Sequence, residues 1–146
     1  MGAVVDTTVF IDLEHATLRH DDARWGKLIG QRLLECLGPD EEAAIAAITA
    51  SELLHGVHRA DAEHRARREA FVESILAAVP TLDFDLLAAR AHARLWADLA
   101  RSGVDIGPHD RIVAAIAISL GWRVATANVR HFERVPGLNV VEVRPS

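Results

Sequence analysis

Three carboxylates stand at equivalent boundaries between predicted elements, although they are far apart in the chain. Asp6 ends an apolar run, and Glu52 and Asp110 each stand near the start of a helical segment. Each acid therefore belongs to a segment boundary that should lie near the rim of a sheet. Acids from distant parts of the chain can converge at such a rim, and the repetition predicts a cation site.

The three carboxylates would repel one another if they converged without a counter-charge. Two carboxylates about 5 Å apart repel by roughly 3 kcal/mol at an effective dielectric constant of about 20. A bound divalent cation would relieve this repulsion. Because the donors are oxygens and no cysteine or paired histidine stands near them in the sequence, Mg²⁺ or Mn²⁺ fits better than zinc.

Each acid also has a purely structural interpretation. Thr49 and Glu52 have the spacing of a capping box, in which Glu52 would only stabilise a helix start. Asp110 could complement a helix dipole, and Asp6 could cap the next helix or turn. None of these interpretations predicts that three acids meet at one edge of a sheet, so we favour the cation site.

Strands and helices alternate along the predicted chain. Strands are predicted at 3–6, 43–48, 81–84, 122–126 and 139–143. Helices are predicted at 8–14, 21–37, 50–60 and 62–78, from the N-cap Asp85 to Arg101, and from Gly107-Pro108 to Gly121. This order predicts an α/β fold with a mostly parallel sheet of about five strands. Ligands of such sheets collect beyond the carboxyl ends of the strands, where Asp6 and Asn128 would lie.

Length and composition limit the class of protein. With 146 residues, the chain is expected to form a single domain over residues 1–146. The formal charge of -5 argues against binding nucleic acid by bulk electrostatics, so any such contact must be local. No apolar run is long enough to span a bilayer, so no membrane partner is expected. The single Cys36 and the missing secretory leader favour a reducing cytoplasm.

Four runs of sequence carry a family resemblance. They are VVDTTV (4–9), TASELLHGV (49–57), IGPHDRIVAA (106–115) and TANVRHFERVPGL (126–138). Together and in this order, they resemble the motifs of PIN-domain ribonucleases and, more narrowly, of the VapC-type toxins of toxin-antitoxin pairs. The similarity extends over nearly the whole chain.

The resemblance implies a compact three-layer α/β/α domain whose acids bind Mg²⁺ or Mn²⁺ and which hydrolyses single-stranded or looped RNA. By motif, Asp6, Glu52 and Asp110 match the first three acidic positions of the family. The fourth position, often Asp in the wider family, falls on Asn128, which can offer a carbonyl oxygen but no charge. The resemblance also implies a homodimer and a cognate antitoxin that covers a groove and obstructs the acidic pocket.

We assign roles to the three acids as a hypothesis. Asp6 and Asp110 hold the catalytic cation directly, and Glu52 contacts it or orients a water. No protein nucleophile is then required, because the cation lowers the pKa of its water and neutralises charge on the phosphate.

Several polar residues are supporting candidates. The hydroxyls of Thr7 and Thr126 and the amide of Asn128 could hold a water or a phosphate oxygen, with ordinary turn and capping roles as the alternative. Arg130 and Arg134 follow the fourth motif and are candidates for RNA contacts. The eight histidines receive no catalytic role, because no metalloprotease-like spacing is present.

Other interpretations remain beside the nuclease. A phosphoryl-transfer or receiver-type domain is disfavoured, because the first motif lacks a second Asp two residues after Asp6 and the only lysine, Lys27, lies far from the later motifs. A non-catalytic module that binds RNA or protein is the main alternative, since Asn128 replaces an acid.

Five apolar residues at helical spacing are most simply core residues, with part of their surface available to a dimer. They are Phe71, Ile75, Leu76, Trp96 and Leu99.

Overall fold

A computed structural model describes residues 1–17 and 25–144 of the chain. Its strands are β1 (Gly2–Val5), β2 (Glu42–Ala46), β3 (Thr81–Leu82), β4 (Arg123–Thr126) and β5 (Val140–Glu142). Its helices are α1 (Thr7–Thr17), α2 (Trp25–Leu37), α3 (Ala47–Arg59), α4 (Arg65–Ala78), α5 (Leu86–Ser102), α6 (Pro108–Leu120) and α7 (Val129–Phe132). None of these described helices is long and apolar enough to cross a membrane.

The five strands form one parallel sheet in the order β3-β2-β1-β4-β5. β1 lies at its centre, paired with β2 on one side and β4 on the other. All four residues of β1 are buried, as expected for a strand with a covered sheet face on both sides. The carboxyl ends of β1, β2 and β4 therefore lie together at one edge of the sheet.

Helices cover both faces of the sheet, which gives three layers. Alternate residues of β1 point to opposite faces, so Ala3 and Val5 join one apolar cluster and Val4 joins the other. The first cluster takes its side chains from α1 to α4, including Phe10, Ile29, Leu53, Phe71 and Ile75. The second takes them from α5, α6 and α7, including Leu95, Leu99, Val113, Ile116 and Phe132. The predicted α/β/α architecture is confirmed.

The predicted strands are found in order, and the helix starts differ most from the predictions. β2 ends at Ala46 and α3 begins at once, whereas the predicted strand ran to 48 and the predicted helix began at 50. Helix α4 begins at Arg65, because a turn over residues 62–64 precedes it. The start of the helix predicted at 21–37 lies outside the described residues, and the described part begins at Trp25. The short helix α7 was not predicted.

Two helix starts agree with the sequence signals. The side chain of Asp85 accepts a hydrogen bond of 2.9 Å from the Ala88 amide, which confirms it as the N-cap of α5. Gly107 precedes α6 with φ of 87°, a left-handed value that glycine adopts without strain, and Pro108 occupies the first turn. This turn fixes the start of α6 and therefore the position of Asp110 in its first turn.

The apolar residues of α4 and α5 divide between core and surface. Phe71, Ile75 and Leu99 are buried, and Leu76 packs against the first cluster. Trp96 is 55% exposed, with the Arg111 guanidinium carbon 5.1 Å from the centre of its ring. The prediction of core packing is therefore wrong for Trp96, because this residue faces outward on α5.

Candidate active site

Asp6 follows β1 directly and lies buried at the centre of the sheet edge, with 4% of its surface exposed. Its Oδ2 accepts hydrogen bonds from the hydroxyls of Thr8, at 2.7 Å, and Thr126, at 2.9 Å. No described backbone N–H donates to this carboxylate, so Asp6 does not cap α1 through its side chain. Two hydroxyl donors thus hold one oxygen of this buried side chain in place.

Thr126 connects Asp6 to the loop that follows β4. Its fully buried hydroxyl donates to the Asp6 carboxylate and accepts a hydrogen bond of 2.9 Å from the backbone N–H of Asn128. The hydroxyl of Thr8 accepts a hydrogen bond of 3.1 Å from the Ala127 amide. These contacts bind the end of β4 to the end of β1, so the position of the Asp6 carboxylate depends on both strands.

Glu52 reaches the same edge from α3. Because α3 begins at Ala47, Glu52 lies in the second turn, and the N-cap Ala46 makes no side-chain cap. The capping-box interpretation of Thr49 and Glu52 is therefore wrong. Glu52 Oε1 accepts a hydrogen bond of 2.9 Å from the Thr7 hydroxyl, and its Oε2 lies 3.3 Å from His109 Nδ1.

Asp110 lies in the first turn of α6, with 29% of its side chain exposed. Burial raises the pKa of this carboxyl, and the negative charges of Asp6 and Glu52 raise it further. His131 acts in the opposite direction, with Nε2 2.7 Å from Asp110 Oδ2. Asp110 thus lies within electrostatic reach of both other acids, and the structure brings the three predicted carboxylates together.

Two histidines contact the acids, and neither contact was predicted from the sequence. His109 adjoins Asp110 in the sequence but contacts Glu52, while His131 contacts Asp110 from α7. The position of His131 inside the fourth motif was the available signal. Its contact spans two helices, so no spacing rule predicts it.

The remaining candidates have different surroundings. Thr7 donates to Glu52, and the backbone of Asn128 donates to Thr126, while the exposed Asn128 side chain makes no hydrogen bond within the described part of the chain. Arg130 is exposed and has no ion pair among residues 1–17 and 25–144. Arg134 donates a hydrogen bond of 3.4 Å to the Asp105 carbonyl oxygen, which turns it toward the α5–α6 connection.

The donors at this edge suit a hard cation that is held by few protein ligands. In the described residues, no hydrogen bond reaches Oδ1 of Asp6 or Oδ1 of Asp110, so each acid keeps one oxygen available. No three His, Cys, Asp or Glu side chains of that same part of the chain are arranged to hold one metal ion together. Mg²⁺ commonly uses one or two carboxylates together with waters and substrate phosphates, and Asp6 and Asp110 offer two carboxylates of this chemistry.

Comparison with known proteins identifies a family. The family model described as "PIN domain" matches residues 3–138. Ribonuclease VapC1 from Rickettsia felis is 33% identical over 144 residues, which are 98% of this chain and 97% of the relative. Two solved structures match as well: DNA-bound VapBC from Salmonella typhimurium has a TM-score of 0.78 at 30% identity, with 99% of each chain covered. VapBC-5 from Mycobacterium tuberculosis, a member of a family of toxin-antitoxin systems, has a TM-score of 0.70 at 33% identity, with 98% of each chain covered.

Proposed function

The chain belongs to the PIN domain family, and we propose that it is a Mg²⁺- or Mn²⁺-dependent endoribonuclease, the toxin of a toxin-antitoxin pair. The convergence of Asp6, Glu52 and Asp110 at one edge of the sheet carries this proposal, because it places three acids where the pKa of one is raised by the other two. The similarity to a ribonuclease over almost the full length of both chains supports the choice of RNA as substrate.

The chain's own residues divide the work of hydrolysis. Asp6 and Asp110 would hold the cation through the oxygens that their hydroxyl and imidazole partners leave available. When bound, a divalent cation neutralises charge on the phosphate and lowers the pKa of the attacking water. Glu52, fixed by Thr7, would contact the cation or orient that water. No side chain needs to form a covalent bond with the substrate.

The test is cleavage of a mixed cellular RNA pool by antitoxin-free protein, in Mg²⁺, in Mn²⁺ and in chelator. Asp6→Asn removes one charge at the buried site, and Asp83→Asn is the matched control, because Asp83 is exposed before α5. Metal-dependent cuts that survive in Asp83→Asn and disappear in Asp6→Asn are expected. Cleavage that persists in chelator or in Asp6→Asn would contradict the proposal.

A second candidate function is a non-catalytic module that binds RNA or protein. Two observations favour it: Asn128 stands where the wider family often has an acid, and His109 and His131 already contact two of the carboxylates. The same experiment separates the two functions. RNA that is protected but never cut in saturating Mn²⁺ would favour the binding module, whereas scission dependent on Asp6 would exclude it.

The partners follow from the same proposal. A cognate antitoxin is supported by the two VapBC structures that this chain resembles. A homodimer is supported by exposed apolar side chains just before and along α5, which are Phe84, Leu86, Leu87 and Trp96. We place the protein in the cytoplasm, where its RNA substrate is available, and Arg130 is our first candidate for a phosphate contact.

A further inference from the structure

His131 makes an unusual pair of contacts through one ring nitrogen. Its Nε2 lies 2.7 Å from Asp110 Oδ2 and 2.7 Å from the Ile106 carbonyl oxygen. The carbonyl oxygen can only accept, so Nε2 carries a proton that it donates to Ile106, and the same nitrogen lies against Asp110 Oδ2 as an ion-pair contact. The tautomer of His131 is fixed by this pair of acceptors.

The backbone around His131 holds the ring in place. Phe132, the next residue, is fully buried in the second apolar cluster, and its ring lies edge-on to the imidazole with centres 5.7 Å apart. Ile106, whose carbonyl is the second acceptor, is also buried. The histidine therefore bridges two anchored segments, the short α7 and the connection that leads into α6.

This bridge decides which Asp110 oxygen is available. Oδ2 is occupied by His131, whereas no described group donates to Oδ1. Asp6 repeats the pattern, because the hydroxyls of Thr8 and Thr126 both occupy its Oδ2. Each acid is thus held by one oxygen and keeps the other for a ligand.

The contact also opposes the repulsion between the acids. The charges of Asp6 and Glu52 raise the pKa of Asp110, which means that they disfavour its ionised form at this place. An unrestrained carboxylate would reduce this repulsion by rotating towards solvent, since its side chain is 29% exposed. A donor fixed in the protein keeps it at the edge of the sheet.

We propose that His131 is a positioning residue for the cation: through its 2.7 Å contact with Oδ2, it holds Asp110 so that Oδ1 and the free oxygen of Asp6 serve one metal ion. This inference rests on the proposed function. Hydrogen-bond partners of metal-ligating groups typically contribute 10- to 100-fold to metal affinity. His131 acts through Asp110 and does not contact the cation itself.

The test measures Mn²⁺ binding to the full chain by titration calorimetry, without RNA. His131→Phe keeps an aromatic ring but removes the donor, His131→Leu removes both, and His131→Gln keeps an N–H donor. The two variants without a donor should bind Mn²⁺ about 10- to 100-fold more weakly, and His131→Gln should recover part of that loss. In cleavage assays, the Mn²⁺ concentration for half-maximal rate should rise, while kcat at saturating Mn²⁺ should change much less.

A second histidine provides the control. His64 Nδ1 lies 2.7 Å from Asp61 Oδ1 on the exposed α3–α4 connection, so His64→Leu removes a histidine–carboxylate contact of the same length elsewhere. It should leave Mn²⁺ affinity unchanged. Thermal unfolding in chelator identifies any variant that fails to fold. If His131→Phe and His131→Leu lose Mn²⁺ affinity to the same extent, the loss does not depend on the side chain that replaces the histidine.

The outcomes separate this inference from the proposed function. Equal Mn²⁺ affinity in the wild type, His131→Phe and His131→Leu would overturn the positioning role alone. A wild type that binds no Mn²⁺, or binds it as Asp110→Asn does, would overturn the proposed metal chemistry and the role of His131 with it. A loss in His131→Gln and His131→Leu that His131→Phe does not share would show that the ring, not the donor, matters, and would overturn the positioning role.

Discussion

Thr126→Val tests whether a buried hydroxyl holds the central acid of the site. Valine has nearly the same shape as threonine and favours strands, so the change removes little except the hydroxyl. That hydroxyl is fully buried, donates to the Asp6 carboxylate and accepts a hydrogen bond from the backbone N–H of Asn128. The substitution therefore deletes two contacts at the junction of β1 and β4.

The expected cost follows from these two contacts. A hydrogen bond to a charged group contributes about 1.5–3 kcal/mol, and an amide left without its acceptor costs about 1–3 kcal/mol. Both terms should fall in the lower half of these ranges, because Thr8 still donates to Asp6 and Asn128 is exposed. The added methyl group gains about 0.8 kcal/mol from burial, so the net loss should be about 2–3 kcal/mol. A chain of 146 residues has an unfolding entropy of about 0.3 kcal/mol per kelvin. The Tm should then fall by about 8 °C.

Urea unfolding and thermal unfolding in chelator measure this loss without any contribution from bound metal. Thr81→Val is the matched control, because Thr81 is also a strand residue but is exposed and makes no side-chain hydrogen bond in the described residues. It should change the free energy of unfolding by less than about 0.5 kcal/mol. If Thr126→Val were as mild as Thr81→Val, the hydroxyl would not stabilise the Asp6 carboxylate and our reading of this junction would be refuted.

Three further predictions concern other parts of the chain. Asp110→Asn should abolish cleavage and, in chelator at neutral pH, leave the Tm equal or higher. The pKa of Asp110 is raised in the folded state, so the stability of the wild type falls as the pH rises from about 3.8 through the pKa of Asp110 in the folded protein. Gly2→Ala would place a Cβ 2.5 Å from the Trp122 ring and should lower the free energy of unfolding by about 1–3 kcal/mol. Gly30→Ala in α2 should raise the free energy of unfolding by about 0.5–1 kcal/mol, and urea unfolding measures both changes. Leu87→Glu, at a residue 65% exposed, should convert the proposed dimer to a monomer in light scattering.

Each of these predictions has a result that contradicts it. If the free energy of unfolding of Asp110→Asn still fell as steeply with rising pH as that of the wild type, Asp110 would not be the cause of this pH dependence. Gly2→Ala without loss would mean that the Trp122 ring moves aside at little cost. Leu34→Glu is the control for the dimer, because Leu34 is 53% exposed on α2. Loss of the dimer in this variant as well would point to general destabilisation.

The fold and family were predictable because their signals are local or continuous in sequence. The buried run before Asp6 has no polar residue, which marks a central parallel strand, and the Gly107-Pro108 pair marks the start of α6. Those two elements place Asp6 and Asp110 at the same edge. The resemblance to PIN-domain and VapC-type proteins is confirmed, since it depends on four motifs in order.

The missed features depend on contacts between distant segments. The spacing of Thr49 and Glu52 matches a capping box, but α3 begins earlier because β2 leads into it without a loop. Thr49 becomes a buried helix residue, and Glu52 pairs with Thr7. His131 reaches Asp110 only after α7 folds against the second cluster. Periodicity and spacing carry no information about such contacts.

The central position of β1 has a consequence for biosynthesis. The ribosome makes β1 well before its neighbour β4, which ends at Thr126. A nascent chain that stops before β4 has Asp6 without Thr126, and one that stops before α7 has Asp110 without His131. Parallel pairing between such distant segments also forms late in folding. The candidate site is therefore complete only after α7 has been translated, so translation that stops earlier leaves fragments without a complete site.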